Sequence, residues 1–143
     1  MAGIISDKLN FLMREKYGLV YQVGVDWHRY SIGNQLDIDI DCSAENMKKV
    51  LELLEVELAR LEIDPGSVEQ KKSEFVQVLQ FLPEDPSALA DYMLIQKTLF
   101  PDYSVETPSC ELDRAKDLVA EEVAQVYDKV IRNSRSGLFM IGV

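Results

Sequence analysis

The chain has 143 residues, 47% of them hydrophobic and 28% charged, with 25 acidic against 15 basic residues and a formal net charge of −10. That length is one domain, and that apolar content excludes a disordered chain. The acidic surplus repels phosphate backbones, so nucleic acid and anionic membrane surfaces are excluded as partners, and no apolar run approaches the roughly 20 residues of a membrane span.

Residues 1–7 hold neither the basic region nor the long apolar core of a signal peptide. Two cysteines, Cys42 and Cys110, are too few for a disulfide framework. A cytoplasmic location with both thiols reduced is expected; one bridge between them is the alternative.

Residues 4–16 predict an amphipathic helix, with Ile4, Ile5, Lys8, Leu9, Leu12 and Met13 at helical spacing. Gly18 is placed to end it in the left-handed conformation that a residue without a Cβ adopts freely. A strand is predicted over 19–26, with Leu19, Tyr21, Val23 and Val25 on one face. Residues 27–31, Trp-His-Arg-Tyr-Ser, read as a connection. The next strand, 32–41, alternates Ile32, Asn34, Leu36, Ile38 and Ile40 with Gly33, Gln35, Asp37, Asp39 and Asp41. One face buried and one wet predicts an antiparallel hairpin.

Ser43 is the expected cap of a long helix carrying Met47, Val50, Leu51, Leu54, Leu58 and Leu61. Asp64-Pro65-Gly66 stops it. Ser67 and Gln70 form the pattern of a capping box for a helix over 68–81. Pro83 to Pro86 breaks that helix, and Asp85 with Pro86 starts another over 87–99. Residues 100–111 read as a loop, and 112–131 as a last helix. Its predicted stripe is Ala115, Leu118, Val119, Val123, Val126 and Val130. Residues 138–143 are apolar on both faces and predict an interior strand. The fold class expected is α+β, a single domain over 1–143 with helices packed on one face of an antiparallel sheet. Its abrupt entry into a helix leads us to expect that something precedes it.

Few residues here can carry chemistry. His28 is the only histidine, so two-histidine zinc motifs are excluded and no metal ligand set is assigned to this chain. Asp37, Asp39 and Asp41 are spaced like the first ligands of a calcium loop. The glycine and glutamate such a loop needs are replaced by Cys42 and Lys48, so a solvated strand face is expected. No nucleophile pair and no glycine-rich phosphate loop is present. Arg14 and Tyr21 remain, seven positions apart across the helix end and turn. Taken alone, Arg14 suits a helix C-terminus and Tyr21 a core aromatic.

The stretch Leu12-Met13-Arg14-Glu15-Lys16-Tyr17-Gly18-Leu19-Val20-Tyr21-Gln22-Val23 resembles the LREKxGLAYSV segment of the insulinase/pitrilysin zinc metallopeptidases. That family of inverzincins also holds mitochondrial processing peptidase and the respiratory-complex core subunits. Residues 3–9 look like its GG-x-x-SRL lead-in. Ser43-Ala44-Glu45-Asn46-Met47 is similar to its T-x-P-E-N-V. Val119-Ala120-Glu121-Glu122-Val123, Tyr127 and the closing Ile141-Gly142-Val143 resemble its last helix and strand.

The resemblance implies the later part of a non-catalytic domain that lacks its first strand and helix. In that family one domain carries the zinc, and a silent one supplies an arginine and a tyrosine to the substrate. Arg14 and Tyr21 match those two positions and would bind peptide, with an oxyanion-stabilising role. The expected partners are a zinc-bearing catalytic domain or subunit and a peptide substrate. No activity is expected of this chain alone. The missing elements also imply an unpaired edge or apolar patch, and with it a homodimer. The rival reading is a catalytically dead assembly subunit of the same fold.

Overall fold

A computed structural model of the chain describes residues 1–30, 33–99, 105–133 and 136–138. The fold is α+β, mostly helical with one antiparallel two-stranded sheet among the described residues. Helix α1, Ala2–Leu9, runs directly into a π-helical segment, Asn10–Lys16. Strands β1, Gln22–Tyr30, and β2, Gly33–Asp41, follow. Helices α2, Met47–Arg60, and α3, Pro65–Phe81, come next. A short 3-10 turn, Leu82–Glu84, leads to α4, Pro86–Leu99. Helices α5, Pro108–Asp117, and α6, Ala120–Tyr127, complete the order, α6 running on into a π-helical turn, Asp128–Arg132.

The predicted hairpin is present. Val23 pairs with Ile40, Val25 with Ile38 and Trp27 with Leu36. Val23, Val25, Leu36, Ile38 and Ile40 meet Ile5, Leu9, Met13, Val50, Leu61 and Tyr127 in the main core. The opposite face carries Asp26, Asp37, Asp39 and Asp41. Period-2 alternation in β2 forces this, because a slip by one residue would turn every isoleucine to water. A second, smaller cluster of Ile4, Val68 and Val123 joins α1, α3 and α6.

Several expectations need correction. β1 starts later than 19 and continues through 27–30, so those four residues are strand and not connection. Their aromatic and polar side chains hid the alternation, but each pairs across to β2 in register. Ser43 does not cap α2: the helix starts at Met47, and the Ser43 carbonyl accepts from the Asn46 amide in the preceding turn. Asp64, not Ser67, caps α3. Its carboxylate accepts from the Ser67 amide at 2.8 Å and hydroxyl at 3.0 Å, with Pro65 in the first turn. Those bonds hold the Asp64 carboxyl below the usual carboxylate range.

The loop expected over 100–111 gives way to helix at Pro108, where Thr107 and Pro108 form a cap and first position. The single helix over 112–131 is two. Leu118 and Val119 are extended between them. Lys72 donates to the Leu118 carbonyl at 3.1 Å, and the Glu122 carboxylate accepts from the Val119 amide at 3.3 Å. The groups freed by the break are thereby satisfied. The break also rotates the buried stripe: Val123 and Tyr127 are buried, whereas Leu118, Val119 and Val126 are exposed. The expected Asp85–Pro86 start of α4 is present, with the Asp85 carboxylate accepting from the Ser87 and Ala88 amides at 2.9 and 3.1 Å. The strand expected over 138–143 lies, beyond Leu138, outside the described residues.

Candidate functional site

Arg14 and Tyr21 flank the junction between the first helix and the hairpin. The helix is anchored by Met13, which is fully buried, and the chain beyond the turn by Leu19 and Val20, also buried. Gly18 stands between them at φ +61°. Its amide donates to the Arg14 carbonyl at 3.2 Å, and the Leu19 amide to the Met13 carbonyl at 2.8 Å. Each bond spans one residue more than in an ordinary glycine C-cap. The widened π spacing accounts for this, since the Tyr17 amide reaches back five residues to Leu12.

Two asparagine side chains hold the junction in place. Asn10 donates to the Ser6 carbonyl at 3.0 Å and to the Val23 carbonyl at 2.9 Å, tying helix to strand. Asn46 donates to the Leu19 carbonyl at 3.1 Å, tying the start of α2 to the turn. The Tyr21 amide donates to the Asp41 carbonyl at 2.7 Å, extending the hairpin by one bond. Neither asparagine was legible as a site residue. The available signal was Asn10 in mid-helix, where asparagine is unfavourable unless its side chain bonds elsewhere.

With its frame buried, the junction presents its long polar side chains to solvent. Arg14 is exposed, and Tyr21 is 67% exposed, so it is not the core aromatic it suits when taken alone, although Leu19, Val23 and Val25, predicted to share its face, are buried. Among the described residues no hydrogen bond or ion pair joins the two side chains or engages either one. Phe11, one turn before Arg14, is exposed as well, and the Lys16 ammonium sits 5.0 Å over the exposed Tyr17 ring. A guanidinium and a phenol are hydrogen-bond donors beside aromatic surface, so they can hold carbonyls or carboxylates of an extended chain.

The remaining candidates lie apart from it. His28 is on β1, not in a loop, opposite Gln35. Its Nε2 is 3.4 Å from one Asp37 oxygen, and Gln35 donates to the other at 2.5 Å. Asp39 and Asp41 lie exposed on the same hydrated face. Among the described residues no three His, Cys, Asp or Glu side chains are placed to share a metal ion. Cys42 is half-buried and Cys110 exposed, and both are free thiols. A cleft of about 340 Å³ between α1 and α2 is lined by Leu9, Leu12 and Leu61 with Lys8, Glu57 and Arg60. Lys8 donates to the Glu62 carbonyl at 2.7 Å beside it, and its charges of both signs single out no ligand.

No described helix is long and apolar enough to cross a membrane. In comparisons with known proteins, the chain matches no family model and no curated protein.

Proposed function

We propose that this chain is a non-catalytic, substrate-holding domain of an insulinase-type zinc metallopeptidase that acts in the cytoplasm. The single observation that carries the reading is the junction at Gly18. Its backbone and apolar residues are tied down, while Arg14 and Tyr21, the two residues the resemblance singles out, are left exposed and without a side-chain partner among the described residues. A fixed frame with free donors suits binding of a peptide backbone. In this reading zinc and the attacking water belong to a second domain or subunit, since the family's zinc motif takes two histidines and His28 is the only one in this sequence.

The test uses the complete assembly with its zinc-bearing partner. Arg14→Ala lowers peptide turnover and leaves zinc content unchanged. Turnover equal to wild type overturns the role. The rival reading, an assembly subunit without a part in proteolysis, draws on the apolar outer surface of α3 and α4. It requires that Arg14→Ala and Tyr21→Phe both leave turnover untouched.

A further inference from the structure

Tyr21 and Gln22 break the alternation of the strand they open. In a regular strand Val20 and Gln22 share one face, and Tyr21 shares the other with Val23. Here Val20 and Val23 are 7% and 4% exposed, and the two residues between them both face solvent. One residue more than a period of two allows therefore stands at this point. The partner strand shows where. Gln22 pairs with Asp41, and the Tyr21 amide donates to the carbonyl of the same Asp41 at 2.7 Å. Two residues against one make a β-bulge, which re-aims a side chain. It carries Tyr21 from the face of Val23 to that of Gln22.

Two consecutive polar side chains are thereby left in solvent after the Gly18 turn. Neither makes a side-chain hydrogen bond among the described residues. Gly24 stands next along the same face, opposite Asp39, and presents no side chain. A Cβ built there would first meet the Asp39 Cβ at 3.9 Å, so neighbouring side chains leave that space open to the close approach of another backbone.

The chemistry of the junction is one-sided without Gln22. A guanidinium only donates, so Arg14 can hold carbonyls but not an N–H. An extended peptide presents both, and an N–H left without a partner on binding is costly. The Gln22 carboxamide has an acceptor oxygen as well as two donor hydrogens. Resting on the substrate-holding reading of this junction, we propose that Gln22 is its third binding residue, and that its carboxamide oxygen accepts from a backbone N–H of the bound peptide beside the carbonyl that Tyr21 holds. Asp41, across the ladder, is the competing acceptor.

The experiment measures turnover of a quenched fluorescent peptide by the complete assembly with its zinc-bearing partner. Gln22→Leu raises KM about fivefold with kcat unchanged, because a holding contact acts alike on bound substrate and transition state. The same peptide, N-methylated at successive backbone amides, locates the contact. One methylation raises the wild-type KM about fivefold and adds nothing in Gln22→Leu, a coupling that a merely structural role does not produce. Gln22 is exposed, so the variant keeps the wild-type far-UV spectrum. An unchanged KM in Gln22→Leu, or methylations that cost both proteins alike, overturns the proposal. So does coupling to Asp41→Ala in place of Gln22→Leu. If Arg14→Ala lowers turnover in those cases, the earlier reading stands without Gln22. If Arg14→Ala turns over peptide like wild type, both are overturned.

Discussion

The Tyr127 hydroxyl donates to the Leu58 main-chain carbonyl across 2.6 Å and a sequence separation of 69 residues. Tyr127 is 1% exposed and fills the centre of the main core, so the bond locks α6 onto α2 behind the hairpin. Burial also pushes its hydroxyl pKa up. Tyr127→Phe keeps the ring but leaves the carbonyl without this donor, at a cost of about 1 kcal/mol and roughly 4 °C in Tm. Tyr127→Ala empties the site and costs about 3–5 kcal/mol. Thermal and urea unfolding measure both, and a Tyr127→Phe protein as stable as wild type would show the bond to be idle.

Gly18 is held at φ +61°, and a Cβ built there meets nothing within 4 Å. The cost of Gly18→Ala is therefore backbone strain alone, about 1 kcal/mol. Gly18→Asn costs less, since asparagine tolerates the left-handed region. Urea denaturation of the two variants should rank them in that order. Equal stability of all three proteins would show that the turn relaxes.

Alkaline stability should report on Tyr92. Desolvation, then its bond to Glu111, pushes the phenol up to about 12 from 10.0. The unfolded chain ionises first, so this contribution is complete below pH 10 and is lost as pH rises toward about 12. Wild type loses stability through that window, and Tyr92→Phe loses less. Parallel curves for the two proteins would rule the coupling out.

Asp64 has the opposite sign. Its carboxyl is lowered by the Ser67 amide and hydroxyl, so its contribution is present above the ordinary value of 3.8 and disappears as pH falls through the lower folded value. Asp64→Ala lowers Tm at neutral pH, and the difference from wild type narrows below pH 3.8. A difference that stays constant on acidification would place the effect elsewhere than in the charged cap.

Much of the fold is legible in local patterns. Ile38 and Ile40 alternating with aspartates dictate a half-buried strand, and Gly18 marks the turn that the structure places at positive φ. Asp85 with Pro86 marks the start of α4. The rest depends on partners remote in sequence. Trp27 to Tyr30 become strand because β2 offers them a matching register. The predicted helix 112–131 is interrupted at Leu118 and Val119, where Lys72, far away on α3, takes the Leu118 carbonyl.

The candidate site divides the same way. Arg14 and Tyr21 could be picked out by their positions around a glycine, but read alone Tyr21 suits a core aromatic, and only the folded chain puts it in solvent. Side-chain period and turn chemistry are properties of a few neighbouring residues, and those the sequence by itself determined: an α+β chain, a hairpin, a capped turn at Gly18. Which face of each element is covered depends on contacts such as Asn46 with Leu19 and Tyr127 with Leu58. Those contacts form only when distant segments meet, so the exposure of Arg14 and Tyr21 was decided by tertiary structure.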